Sequence, residues 1–307
     1  MADMTFSGVT FAGGFAITPP PAGNKAIFGY GETVSMTNLV SNTGVVANDT
    51  TGVGTARWGL SAASYGTDKA IFGYGTGSGG DKSLTNLVSN TGVVANDTAG
   101  VGTARYGLAA AGYGSDKAIF GYGLAGSSQT AITNLVSNIG VVANDTTGVG
   151  TTRTALAATR YGTDKAIFGY GQVINSQGSM TNLVSNTGVV STDTTGVGTA
   201  RQALAAATYG TDKAIFGYGR DPAFTSITNL VSNTGVVATD TAGVGTVRSF
   251  LAAAGYGNDK AIFGYGLVEG PYIPYSLTNK VSNTGVVATD TAGVGTARYG
   301  LAAAAYG

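Results

Sequence analysis

Short apolar runs, four to six residues long and punctuated by glycine, recur along the whole chain in one fixed order. The copy at 108–153 shows the unit. LAAAGY (108–113) passes through GSDK into AIFGYG (118–123); TNLVSN (133–138) passes through IG into VVANDT (141–146); TGVGTTR (147–153) leads to the next copy. Turns bearing glycine and aspartate between apolar runs predict two hairpins, hence four short strands per unit. The runs are rich in β-branched and aromatic residues and nearly continuous rather than alternating, which fits strands buried on both faces. A helical reading of LAAAAY (301–306) draws on strong helix formers. Six residues hemmed by glycine nevertheless fall short of the ~12 that a helix needs without strong packing. Alanine is a poor strand former, so its place in the first strand predicts a crowded position that admits only small side chains.

The unit is a long-period repeat. KAIFGYG occupies 25–31 and returns at 69–75, 117–123, 165–171, 213–219 and 260–266, so that its lysine recurs at spacings of 44, 48, 48, 48 and 47. TNLVSNTGVVANDTTGVGTAR (37–57) and LSAASYG (60–66) recur in step with it, and only the segment between the second and third strands varies freely. Four strands in such a period, six times over, match a β-propeller, with a parallel β-solenoid as competitor. The ends of the chain separate the two. The repeats open on a second strand (25–31) and close on a first strand (301–306). In a ring the last strand completes the blade begun by the first, whereas a solenoid has no use for the offset and calls for atypical caps. The expected fold is all-β: a six-bladed β-propeller of four-stranded blades over 25–307, closed by the C-terminal strand, behind an N-terminal arm at 1–24. Ala62, Ala63, Ala110, Ala111, Ala206 and Ala207 are expected at the crowded axis, with Ile71, Phe72, Leu87 and Val88 filling the space between blades.

Composition narrows the chemistry. The chain has neither cysteine nor histidine, which removes thiolate nucleophiles, histidine bases and nearly all zinc or copper sites. No metal and no cofactor is expected. Sixteen basic residues balance sixteen acidic ones, so neither nucleic acid nor an anionic membrane is an expected partner. The first residues, MADMTFSGVTFAGGFAITPPPAGN, lack a basic start and an unbroken apolar run, and no segment approaches the ~20 apolar residues of a membrane span. A soluble protein made in the cytoplasm is the expectation. The 51 glycines do not signal disorder, because large apolar residues recur at fixed places between them.

The unit R-x-x-L-A-A-A-x-Y-G-x-D-K-A-I-F-G-Y-G, followed by TNLVSNTGVV and ending at the next Arg, resembles the Kelch repeat over residues 25–307. Here GYG (29–31, 73–75) replaces the Kelch glycine doublet, and the Kelch tryptophan of the fourth strand is missing from all six copies. The copper site of galactose-oxidase-like members needs His and Cys, so that activity does not carry over. The near-identical KAIFGYG and TNLVSNTGVV units are also similar to propeller proteins of tailed-phage particles. That resemblance implies a tail, fibre or decoration component, made in the host cytoplasm and located in the virion. It implies a structural or host-recognition role, with other virion proteins as partners.

Two sets of residues are candidates for function. The first comprises Asp and Arg eight residues apart in every copy: Asp49 and Arg57, Asp97 and Arg105, Asp145 and Arg153, Asp193 and Arg201, Asp240 and Arg248, Asp290 and Arg298. Six equal copies read as structural ion pairs or backbone clamps at each crossover, with a ring of arginines binding an anion as the functional alternative. The second set lies in the variable loops and crossovers, which share one face of an up-and-down blade. Trp58 and Tyr299 follow the repeated Arg, and Arg220, Asp221, Phe224, Glu269, Tyr272, Tyr275 and Glu32 fall in one sector. Aromatics beside carboxylates suit sugar stacking or a protein interface.

The expectation is a non-enzymatic structural or recognition propeller that binds a protein or a cell-surface glycan through this face, with 1–24 engaging assembly partners. A free-standing lectin-like module is the alternative. A glycosidase would need two placed carboxylates, for which Glu32 with Glu269 or Asp221 with Glu269 are the loop pairs on offer.

Overall fold

The computed structural model describes residues 23–268, 270 and 272–307. Those residues contain no helix and form six three-stranded antiparallel sheets, each with the second strand in the middle. In the second repeat these strands are Ser61–Tyr65, Lys69–Gly73 and Thr85–Val88. Ile71 sits opposite both Ala63 and Leu87. One sheet is assembled from the two ends of the repeat region. Ala302–Tyr306 pairs with Lys25–Gly29, which pairs in turn with Thr37–Val40. No sheet closes on itself.

The second strand is buried beyond its leading lysine, as its near-continuous apolar run predicts. Ala70, Ile71, Phe72 and Tyr74 have no exposed surface, and burying a Phe or Ile side chain contributes about 1.5–3 kcal/mol. The sequence F-G within KAIFGYG has a packing reason. A Cβ on Gly73 would lie 2.7 Å from Phe120 Cζ, and one on Gly29 would lie 2.7 Å from Phe72 Cζ. Each phenyl ring thus occupies the space that the glycine of the adjacent sheet leaves empty. The relation passes from sheet to sheet and ends with Phe28 against Gly264. The same rings meet the neighbouring tyrosine, as in Tyr30–Phe72 at 5.1 Å and Tyr74–Phe120 at 5.1 Å.

The predicted fourth strand is a correction. VVANDT and its equivalents form no regular strand, and each touches the third strand through two single bridges, Val136–Val142 and Thr133–Thr146 in the third repeat. Between those bridges the fourth segment carries one residue more than its partner, a bulge that breaks the ladder. Asn134 fills the break, donating from Nδ2 to Ala143 O at 3.0 Å and to Asp145 Oδ1 at 2.9 Å. The sheets are therefore three-stranded with a tethered edge segment. Four of the variable loops gain order that the sequence did not signal, as two-residue hairpins such as Thr76–Gly77 with Gly80–Asp81 and Arg220–Asp221 with Ala223–Phe224.

Hydrogen bonds also run between sheets. Gly59 N–H donates to Gly300 O, Gly107 to Gly59, Ala155 to Gly107, Ala203 to Ala155, Phe250 to Ala203 and Gly300 to Phe250, at 2.7–2.9 Å. The series returns to its first member. At the other end of the first strands, Gly66 donates to Asp116 O and its equivalents do likewise, through Gly257 to Asn24 O and Gly307 to Asp68 O. The first strands of all six sheets border one common space, at whose waist Ala62, Ala110, Ala158, Ala206, Ala253 and Ala303 line the cavities on both sides. That is the crowded place which the alanine runs predict.

Candidate functional site

The repeated arginines build the frame on which the candidate site stands. Arg57 has no exposed surface. Its Nε donates to Tyr74 O at 2.7 Å, Nη1 to Thr55 O at 3.0 Å and Nη2 to Asn86 Oδ1 at 2.6 Å. Its guanidinium lies over the Tyr30 ring at 4.5 Å, so one side chain joins the first sheet to the second. The carboxylate it approaches is not Asp49, eight residues before it, but Asp97 of the following repeat, at 3.7 Å. Arg105 meets Asp145 at 4.0 Å, Arg248 meets Asp290 at 3.4 Å, and Arg298 meets Asp49 at 3.8 Å. Arg153 and Arg201 stack in the same way over Tyr122 and Tyr170, and Asp193 and Asp240 accept from Thr151 and Thr199.

The aspartates sit in a polar cradle. Asp97 accepts from Thr55 N–H at 3.0 Å, Thr55 Oγ1 at 2.6 Å and Asn86 Nδ2 at 2.9 Å. Burial pushes its carboxyl up, but those bonds and the Arg57 charge outweigh burial and hold it below the usual carboxylate range. Gly54, at φ 75°, must be glycine because a Cβ would lie 2.3 Å from Asp97 Oδ1. Burial pushes the Tyr30 and Tyr74 hydroxyls up to about 12. All six arginines are buried, so this set frames the site and offers no open anion ring.

Just beyond five of the six arginines the crossover residue pairs with the variable loop: Trp58 with Thr76, Tyr106 with Leu124, Thr154 with Gln172, Gln202 with Arg220, Ser249 with Leu267. All of these but Thr76, Ser249 and Leu267 border a cavity of about 290 Å³ above the alanine waist. Its lining combines the aromatic Trp58, Tyr106 and Phe250 with the polar Thr154, Gln202 and Arg220. Trp58 and Tyr106 meet edge to face at 5.3 Å. Phe250 is held at φ 53° by the inter-sheet hydrogen bonds, where Gly59, Gly107 and Gly300 occupy the equivalent positions. A left-handed L-residue costs about 1–2 kcal/mol, and strain of this kind gathers at functional sites.

The predicted sector is brought together in part. Arg220 lies over the Phe250 ring at 5.3 Å, and Phe250 meets Tyr299 at 6.3 Å. Glu32 N–H donates to Tyr299 O at 3.2 Å, and burial pushes the Glu32 carboxyl up. Phe224 meets Tyr272 at 6.4 Å, next to a patch in which Tyr272 is 61% exposed, with Ile273 and Tyr275 beside it in sequence and also exposed. Asp221 pairs with Ala223 in the same hairpin as Arg220. Glu269 lies outside the described residues, and with it both carboxylate pairs considered for glycoside hydrolysis. Phe250, Tyr106 and Gln202 were not among the predicted site residues. Their signal was present, because each occupies a crossover position where equivalent residues differ in size and polarity. No family model and no curated protein matches the chain.

Proposed function

We propose that the six sheets are the blades of a closed six-bladed β-propeller, and that the chain is a non-enzymatic recognition module of a phage particle. In this reading it is a tail, fibre or decoration component that binds a cell-surface glycan through the face formed by the variable loops and crossovers. Ring closure is supported by the pairing of Ala302–Tyr306 with Lys25–Gly29 and by the inter-sheet hydrogen bonds that return to their first member. The observation that carries the recognition role is the contrast between a constant frame and one variable face. A network of buried Arg, Tyr and Asn side chains with Asp at its exposed edge repeats through the sheets, while the residues at the 290 Å³ mouth differ from copy to copy. Aromatic rings interleaved with amide, hydroxyl and guanidinium groups suit a sugar, with its apolar face and hydroxyl rim. The virion setting rests on the sequence resemblance alone, and the arm that would anchor the module, residues 1–24, lies almost wholly outside the described residues.

A glycan array probed with the purified chain tests the reading, alongside a Trp58→Ala/Tyr272→Ala double variant. Both residues are partly or largely exposed, so the variant should keep the thermal midpoint of the parent. Saccharide binding that the variant loses is the expected outcome. A folded parent that binds no saccharide would overturn the glycan role.

A further inference from the structure

The second cavity, at the opposite end of the first strands, has its own chemistry. It encloses about 360 Å³ and is bordered by Ser64, Thr159, Arg160, Thr208, Thr211 and Lys260, among others. Arg160 stands at a position that is Ser64, Gly112, Thr208, Gly255 and Ala305 in the other repeats, in the same register against the second strand. No other first strand carries a charged side chain. The framework therefore folds five times without an arginine here, and packing does not call for one.

The guanidinium is only partly satisfied. Nη2 donates to Gly114 O at 3.1 Å and Nη1 makes no hydrogen bond among the described residues, while Nε is sealed from solvent like that of Arg153 and Arg248. Asp164, the carboxylate that acts on it, is itself paired with Lys165 at 3.2 Å. Burial pulls the Arg160 pKa down and Asp164 pulls it back. Lys260, the repeated lysine that borders the cavity, is paired with Asp259 at 2.7 Å, so the positive charge on offer is that of Arg160. A concave, low-dielectric wall concentrates that potential on an entering anion.

We infer that this cavity binds one small oxyanion on the Arg160 guanidinium, a free phosphate or sulfate held by the arginine fork and the hydroxyls of Thr163 and Thr211, which also border the cavity. Arginine suits the task because its planar donors match oxyanion geometry, which the point charge of a lysine does not.

Calorimetric titration of the full chain with sodium phosphate, against sodium chloride at equal ionic strength, tests the site. One saturable phosphate site per chain is expected, absent with chloride. Arg160→Thr installs the residue native to position 208 and should abolish the binding while leaving the thermal midpoint in chloride unchanged. Arg160→Lys should weaken the binding at least tenfold without removing it. No saturable heat with the wild-type chain, or equal binding by Arg160→Thr, would overturn the assignment. Should Arg160→Thr fail to fold, Arg160→Gln read by the same titration decides in its place.

Discussion

At the scale of the residue, the frame depends on side chains that each bond to several partners at once. Tyr74 sits at φ 63°, an unusual place for a bulky residue, yet its surroundings fix it there. Its N–H donates to Leu84 O, its carbonyl accepts Arg57 Nε, its hydroxyl donates to Val101 O, and its ring carries Arg105 on one face at 4.3 Å. The glycine after it, at φ 98°, is obligatory: a Cβ would lie 2.9 Å from the Trp58 carbonyl oxygen. Removing one such arginine strands its partners. Arg105→Ala leaves Asn134 Oδ1 and the Tyr122 carbonyl without their donors. It should destabilise the protein by about 3 kcal/mol. Arg105→Lys should recover little of this, since an ammonium cannot reach three divergent acceptors while stacking on a ring. Urea midpoints at constant m-value would read both.

At the scale of the element, the second strand and the fourth segment are opposites. Lys117–Gly121 is flanked by a strand on each side and buried on both faces. The fourth segment hangs on two bridges around a bulge, with Val141 60% exposed and no further strand beyond it in the sheet. Local opening should therefore be cheap at the edge and require global unfolding at the centre. Native-state hydrogen exchange should show the amides of Ala143 and Thr146 exchanging orders of magnitude faster than that of Ile119. Equal protection would mean that the edge is stabilised by something other than its two bridges. The bulge has a use as well, for a broken and twisted edge is a poor template for pairing with another chain.

At the scale of the whole molecule, repetition multiplies small pH effects. Asp49, Asp97, Asp145, Asp193, Asp240 and Asp290 are all held below the usual carboxylate range, by threonine and asparagine bonds and an arginine charge that outweigh burial. In this state the unfolded chain binds more protons, so the stability they give is complete above the unfolded pKa of about 3.9 and is lost as pH falls through the folded value. Tyr30, Tyr74, Tyr122, Tyr218 and Tyr265 are pushed up to about 12 by burial. Here the folded chain holds the proton longer, so stability is complete below about pH 10 and declines from there as pH rises through the folded value. The thermal midpoint should form a plateau that falls steeply below about pH 4 and above about pH 10. Scanning calorimetry across pH would check both limbs, with the alkaline limb accompanied by phenolate absorbance. Phenolate absorbance that appears near pH 10 with no loss of thermal midpoint would show that the tyrosines are not sealed.

The sequence by itself determined the period, the all-β class, the three strands of each sheet and the small side chains of the first strand. Each of these follows from local chemistry: apolar runs, glycine punctuation and the size of alanine. It also marked the variable loops and the crossover residues Trp58 and Tyr299. Only the tertiary structure decided which partners those residues find. The eight-residue spacing drew Asp49 towards Arg57, but the crossover carries each arginine onto the next sheet, where the aspartate that its neighbouring threonine binds belongs to the following repeat. Tertiary structure also broke the fourth strand with a bulge that no residue pattern announces, because Asn134 looks like any strand-end polar residue until its amide meets Ala143 and Asp145. The mouth residues Phe250 and Gln202 came together for the same reason. They are some fifty residues apart in sequence, and only the hydrogen bonds that pass from sheet to sheet set them around one cavity.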